Sequence, residues 1–381
     1  MASPSNQIDH TSWVDATALI APVRQLLGDV VSSIHHWTIA RSVAGGGDEL
    51  GVWLVEGTAV GSGGEQPWTI FLKGWSAPET VIDPADWNWP RRETLIYRSG
   101  ILADLPGGLT APRFLGETNR ADGSHWLWLE GIPDDDSAWS LTRYGQVARQ
   151  LGQMNGAFLT DRALPDYPWL SRGWLRQWVE IAGSAVRDLE RHADHPIVQQ
   201  ALPPPVAATL GQVWNQRHAL LGLLGQLPQT FCHLDAYKRN LFFRKRPDGT
   251  DEVVAIDWGY AGIAALGEEI AALVAATLFF GEIPSEGAAE LQQTVLAGYT
   301  DGLRDAGRSG SPEQVLMGYV ASVALRYGVG TLRGQVFYFL DPQNHPRMER
   351  MMGMPMDDII VLFRTLNAWV AELGEEALRS L

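Results

Sequence analysis

The sequence predicts an α+β fold of two lobes, an antiparallel β-sheet lobe followed by a mainly helical one. Strand-like runs separated by glycines and short loops fill the first third of the chain. Beyond it, long segments place apolar residues at three- and four-residue spacing. The texture changes at Gly131-Ile-Pro-Asp-Asp-Asp136, a linker composition that sets the lobes at residues 1–131 and 132–381. A length of 381 residues suggests two or three structural units, and 45% hydrophobic against 19% charged residues supplies a core.

Residues 15–28 read as a short amphipathic helix with Leu19, Val23, Leu26 and Leu27 on one face. Trp37–Val43, Leu50–Glu56 and Trp68–Lys73 read as three strands of a meander, with Gly45, Gly46 and Gly47 at the first turn and glycine-rich Gly57–Gly64 before the third strand. Pro90 opens a helix over Arg91–Arg98 and Gly100 closes it. Strands follow at Pro112–Glu117 and His125–Glu130. Helices are expected at 141–158, 171–192, 205–225, 286–306, 312–334 and 357–379. One interruption stands out in that helical half. Leu241–Arg244 and Val253–Asp257 flank Pro247-Asp248-Gly249 and read as a β-hairpin.

Composition excludes several classes of function. With 29 Lys+Arg against 44 Asp+Glu, the net charge of −15 argues against a nucleic-acid partner, which needs a basic face to displace counterions. The lone cysteine, Cys232, rules out an intrachain disulfide framework and a multi-cysteine zinc module; it reads as a buried filler. Met1–Thr11 lacks the basic start and apolar stretch of a secretory signal. The strongly apolar run Ile270–Phe280 falls short of the roughly 20 residues that cross a bilayer. The expectation is a cytoplasmic protein with no membrane partner. Oligomeric state is not legible. Sixteen tryptophans fit packing or a pocket equally, and Trp169, Trp174 and Trp178 read as core.

The residues that speak to chemistry surround the hairpin. Before it stands His233-Leu-Asp235-Ala-Tyr-Lys-Arg-Asn240, and after its second strand Ile256-Asp257-Trp-Gly259. A carboxylate such as Asp235 can orient a bound hydroxyl and accept its proton. The Asn240 amide oxygen and the Asp257 carboxylate, returned to it by the hairpin, are hard ligands of the kind Mg²⁺ takes while nucleotide phosphates and waters complete its shell. Each residue also has a plainer reading: Asp235 and Asp257 as turn caps, Lys73 as a solvated strand end, Glu93 as a first-turn carboxylate and Gly45–Gly47 as a simple hairpin turn. Asp134-Asp135-Asp136 reads as a solvated loop or a cation-attracting rim, and the basic cluster Lys238, Arg239, Arg244, Lys245 and Arg246 reads largely as a solvated hairpin tip.

His-x-Asp-x-x-x-x-Asn, a short hairpin, and then an apolar residue before Asp resembles the signature of protein-kinase-like phosphotransferases. The details are similar to the aminoglycoside phosphotransferase and choline kinase group of small-molecule kinases. Asp257-Trp258-Gly259 replaces Asp-Phe-Gly, no Ala-Pro-Glu segment follows, and Gly267-Glu-Glu-Ile-Ala-Ala-Leu273 resembles that group's Gly-Asp-Pro-x-x-Asp-Leu-Ala stretch. The resemblance runs from about Trp37 to Phe280 and implies a two-lobed protein-kinase-like fold with ATP and Mg²⁺ bound between the lobes. It implies Asp235 as the catalytic residue, His233 as a brace of its loop, and Asn240 and Asp257 as metal ligands. Lys73 would hold the α- and β-phosphates and Glu93 would pair with Lys73. Gly45, Gly46 and Gly47 would lie over the nucleotide, and Glu130, Gly131 and Ile132 would bind the purine through their backbone, which leaves GTP admissible beside ATP. Relatives place His or Lys two residues after the catalytic Asp; Tyr237 stands there, so a phosphate contact falls to Lys238 or is not made. The implied reaction is γ-phosphoryl transfer to a hydroxyl of an aminoglycoside, amino sugar, choline-like alcohol or related metabolite. A catalytically inactive nucleotide- or ligand-binding module is the competing reading.

Overall fold

The computed structural model describes residues 11–43, 49–78, 80, 82–133, 137–246, 249, 251–308 and 311–381. They form two compact units: Met1–Ile82 with Glu93–Ala103 and Thr110–Asp134, and Asp83–Arg92 with Asp104–Leu109 and Asp135–Leu381, both bounds including undescribed residues.

The first unit is a five-stranded antiparallel sheet in the order β1-β2-β3-β6-β5: β1 Val31–Val43, β2 Glu49–Gly61, β3 Gly64–Trp75, β5 Phe114–Asn119 and β6 His125–Glu130. Helix α1 (Ala16–Leu27) begins where Asp15 Oδ1 accepts the Ala18 N–H at 2.9 Å, satisfying one orphan donor of the first turn. Its Leu19 and Val23 are fully buried with Val55, Ile70, Leu72, Trp126 and Trp128. That cluster is tryptophan-rich: Trp13 meets Trp126 and Trp128 edge-on at 5.3 and 5.7 Å. The glycine-rich stretch expected as a lead-in at Gly57–Gly64 is instead mostly strand, since β2 runs to Gly61 and β3 starts at Gly64. The reason is local. A Cβ on Gly57 would lie 2.6 Å from both the His36 carbonyl and the Trp68 ring, so glycine there lets the indole cross the strand.

The second unit is mainly helical. Helix α3 (Leu141–Thr160) packs on α10 (Ala288–Asp305) at small residues; a Cβ on Gly302 would stand 2.0 Å from the Arg149 carbonyl oxygen. Helix α9 (Ile270–Phe279) is buried on every side, which explains why its sequence is apolar without a polar face. The expected hairpin is present as β8 (Leu241–Lys245) and β9 (Asp251–Ala255), with Leu241 opposite Ala255. Strand β9 also pairs with the two-residue strand β4 (Leu109–Thr110). Strands β7 (Gln229–Cys232) and β10 (Gly262–Ala265) make a separate pair. Cys232, on β7, is fully buried.

Three expected helices are broken. Residues 171–192 divide at Ala182 into α4 (Trp174–Ile181) and α5 (Gly183–Arg191), and 205–225 divide at Gln216 into α7 (Pro204–Asn215) and α8 (Arg217–Gln226). Between these pairs lies the short helix α6 (Pro196–Ala201). The stretch 312–334 is α11 (Pro312–Val323), a π-helical segment over Ala324–Gly330, and α12 (Leu332–Phe339). Apolar spacing does not register a shift of one hydrogen-bond partner, so such breaks are invisible to it. By length and hydropathy Pro312–Phe339 could cross a membrane, yet 78% of its apolar window is buried inside the protein. Helices α13 (His345–Met352) and α14 (Met356–Arg379) end the chain.

Candidate active site

The loop from β7 to β8 holds His233, Asp235 and Asn240, and its shape is imposed by buried side chains. Leu234 sits in the left-handed region at φ 68°, a conformation that costs energy for a branched residue and needs support. Glu269 gives that support: its two carboxylate oxygens accept the N–H groups of His233 (2.7 Å) and Leu234 (3.1 Å). Burial pushes the Glu269 carboxyl pKa up, opposed by His233 and these hydrogen bonds. His233 Nε2 lies 2.7 Å from the Ile256 carbonyl oxygen, and its Nδ1 accepts the Asp235 N–H at 3.2 Å. A carbonyl can only accept, so Nε2 carries the ring proton. The imidazole packs on Trp258, 4.5 Å between ring centres.

Asp235 is gripped at both oxygens. Asn240 Nδ2 donates to Oδ2 at 2.9 Å and to the Asp235 main-chain carbonyl at 3.0 Å. Arg326, from the π-helical segment, donates through Nη2 to Oδ1 at 2.6 Å and through Nη1 to the Leu234 carbonyl oxygen. The two charged side chains are each 13% exposed. Tyr237 and Tyr327 lie in the same field: burial first, then Asp235 and other anions, pushes the Tyr237 pKa up, and burial raises that of Tyr327 to about 12.

The donor chemistry needed for a divalent cation is present. Both hydrogen bonds of the Asn240 side chain come from its nitrogen, so the amide oxygen is left without a hydrogen bond among the described residues. The Ile256 N–H bonds the Asn240 carbonyl oxygen at 2.9 Å, which seats the residue before Asp257 directly beside Asn240. Asp257 itself adopts φ 60°, ψ 60°. No group of three or more His, Cys, Asp or Glu side chains suited to a metal occurs among the described residues. One amide oxygen and one carboxylate fit Mg²⁺, whose remaining ligands are waters and phosphate oxygens.

In the first unit, Lys73 near the end of β3 lies opposite Val52 and Leu127. Its ammonium is 2.8 Å from Glu93 Oε2, in the first turn of α2 (Arg92–Arg98), and 5.3 Å from the Trp75 ring. Both partners are buried, 7% and 2% exposed. Of the expected hinge residues, Glu130 donates its N–H to Arg113 O and Gly131 donates its own to Thr69 O, each at 3.0 Å, while Ile132 is buried. Gly45, Gly46, Gly47 and Asp134–Asp136 lie outside the described residues.

The basic cluster is ion-paired, and its outer member Lys245 remains exposed. Lys238 lies 2.7 Å from Glu282, Arg244 and Arg246 share Glu252, and Lys245 meets Asp251 at 2.7 Å. Sequence reasoning missed three residues. Glu269 stood inside the quoted Gly267-Glu-Glu stretch, so a signal existed. Arg326 sat in an apparently continuous helix and gave none. Arg92 is fully buried and donates to five carbonyl oxygens, those of Trp169, Trp87, Gly259, Pro84 and Asp86; this ties Asp83–Arg92 to the turn after Asp257. Burial lowers its pKa to about 10, leaving it charged.

Residues 92–308 match the family model described as the phosphotransferase enzyme family. Among solved structures, a microcompartment-associated aminopropanol kinase is 15% identical with a TM-score of 0.51, covering 95% of this chain and 98% of its own. A choline kinase from Cryptosporidium parvum Iowa II is 12% identical with a TM-score of 0.51, covering 90% of each chain. These likenesses establish a protein-kinase-like fold. No curated protein matches the sequence.

Proposed function

The chain belongs to the phosphotransferase enzyme family and is a small-molecule kinase with a hydroxyl acceptor, and on that premise we propose that Asp235 orients the acceptor for γ-phosphoryl transfer from ATP. The observation that carries this reading is the double grip on Asp235. A carboxylate held at both oxygens still has lone pairs to accept one hydroxyl proton, and it presents them in a fixed direction.

In this reading Asn240 and Asp257 hold Mg²⁺ through hard oxygen donors, and the bound ion neutralises charge on the transferring phosphate. Lys73 contacts the α- and β-phosphates, and Glu93 keeps its ammonium from swinging away. His233 ties the peptide of Asp235 to the strand end before Asp257, so the two carboxylates keep their spacing. The purine falls to the backbone near Ile132, because the N–H groups of Glu130 and Gly131 are already bonded within the sheet. That backbone reading admits GTP beside ATP. Lys238 contributes a phosphate contact only by leaving Glu282.

The acceptor in this proposal is an amino-bearing or sugar-like hydroxyl compound. Its support is aromatic: Trp87 stacks on Tyr260 at 6.1 Å and meets Trp178 at 5.1 Å, all in the unit that holds Asp235. Such faces suit cationic or sugar-ring ligands. Replacement of Asp235 by Asn is expected to lower phosphoryl transfer by about 10³-fold. Nucleotide affinity should stay within about twofold, because Asn keeps the side chain's shape. Transfer followed by mass detection across amino sugars, aminoglycosides and choline analogues, with calorimetry for Mg·ATP, measures both. Undiminished turnover in Asp235→Asn would overturn the assignment.

A further inference from the structure

We infer that Arg326 is a positioning residue for the phosphoryl-transfer step, locking Asp235 in the orientation that receives the acceptor hydroxyl. The inference rests on the reading of Asp235 given above and adds a residue from outside the matched stretch 92–308.

Three independent observations converge on Arg326. The first is its two bonds. One guanidinium bonds the main-chain carbonyl of Leu234 and the side-chain Oδ1 of Asp235, so it fixes the backbone and the carboxylate together. An aspartate's carboxylate torsion is broad and roughly two-fold, so nothing intrinsic selects one orientation. Asn240 alone, bonded to Oδ2, would leave Oδ1 free to swing.

The second observation is the backbone that delivers it. Arg326 and Tyr327 lie in the π-helical segment Ala324–Gly330, flanked by ordinary helix on both sides. Such π segments are rare and occur frequently at functional sites. Gly330 belongs to the same segment, and a Cβ there would stand 2.4 Å from the Trp178 ring.

The third is the frame around the guanidinium. Its carbon lies 4.7 Å from the Trp174 ring centre and 5.1 Å from that of Tyr327. These faces hold the plane of the fork, and an arginine fork can bond two acceptors at once where an ammonium is a point charge. The arrangement is therefore specific to arginine rather than to positive charge.

A misplacement of about 1 Å at a reacting group can cost roughly 10²-fold in rate. Arg326→Ala is accordingly expected to lower kcat by about 10²-fold while the KM for Mg·ATP stays within about twofold. Arg326→Lys should retain an intermediate rate, and methylguanidinium added to Arg326→Ala should raise kcat by about tenfold or more. The measurement is transfer of labelled γ-phosphate to 1-aminopropan-2-ol, choline, glucosamine and water, with thermal melting of every variant. Rescue by the added guanidinium separates positioning from damage to the fold, because it is read on the same protein sample. A kcat for Arg326→Ala within twofold of the parent, a proportionate rise in the KM for Mg·ATP, or no response to methylguanidinium would each overturn the inference. Asp235→Asn, run alongside, keeps the two claims apart. If that variant is silent and Arg326→Ala is not impaired, only the role of Arg326 falls. If Asp235→Asn turns over normally, the site reading itself has failed.

Discussion

Lys73 and Asp235 each depend on a buried partner of opposite charge, yet the backbone beneath them differs in kind. Lys73 stands on a regular strand and Glu93 in the first turn of a regular helix, with the Lys73 ammonium 2.8 Å from the Glu93 carboxylate. Asp235 stands on a loop with Leu234 in left-handed backbone, and its partner Arg326 comes from a π-helical segment. Around it Glu269, His233, Asn240 and Arg326 tie side chains to main-chain groups. Where secondary structure already aims a side chain, an ion pair joins two regular elements. Where it does not, the loop must be held by several buried polar groups, each expensive to remove.

Removing one such tie is the most direct way to break this contrast. Glu269→Ala leaves the N–H groups of His233 and Leu234 buried without an acceptor, at an expected cost of about 4 kcal/mol from two lost charge-assisted bonds. Activity should fall with stability, because Leu234 loses what holds it in left-handed backbone. Urea unfolding of the parent and variant measures the first effect. A loss under about 1 kcal/mol would show that the loop holds itself.

The pair in the sheet unit should be less costly to disturb. Glu93→Gln removes the carboxylate charge 2.8 Å from the buried Lys73 ammonium, and breaking such a pair costs about 3 kcal/mol. The Trp75 ring offsets part of that. Mg·ATP affinity should fall by about tenfold as the ammonium becomes mobile, while transfer from bound nucleotide changes little. If kcat fell and affinity did not, the division between a nucleotide-holding pair and an acceptor-orienting loop would be wrong.

The same contrast explains what could be read in advance. The strands, the hairpin and the His233–Asn240 motif follow from local pattern, because alternation and turn residues are encoded within a few positions. The pairing of Lys73 with Glu93 came instead from the family resemblance, which local pattern serves only by placing one at the end of an apolar strand and the other just after Pro90. Arg326 was not legible, since 312–334 keeps a helical apolar period straight through the π segment. Its partner lies 91 positions away in sequence, and no periodicity reports a contact at that separation. Gly57–Gly64 failed in the opposite sense. Its glycines looked like a loop, but Gly57 is needed inside the strand to clear the Trp68 ring. Local pattern thus reads the regular backbone and misses the long-range ties that hold irregular backbone in place.

Glu268 supplies the gentlest probe of those ties. It is buried beside Glu269, accepts the Ala265 N–H at 3.3 Å, and lies within the field of Arg326. Burial is the main cause that pushes its pKa from the ordinary carboxyl range up to about 7, against the pull of that hydrogen bond and of Arg326. A raised folded-state pKa means the folded chain holds this proton more tightly than the unfolded chain does. Its stabilising contribution is full below about pH 4.5 and is lost as pH rises through about 7. Between pH 5 and 8 the parent should therefore lose about 2 kcal/mol relative to Glu268→Gln, which carries no titrating group there. Urea unfolding of both proteins at the two pH values measures this difference. Parallel pH dependences would place Glu268 in a solvated setting and remove it from the buried polar group that surrounds Asp235.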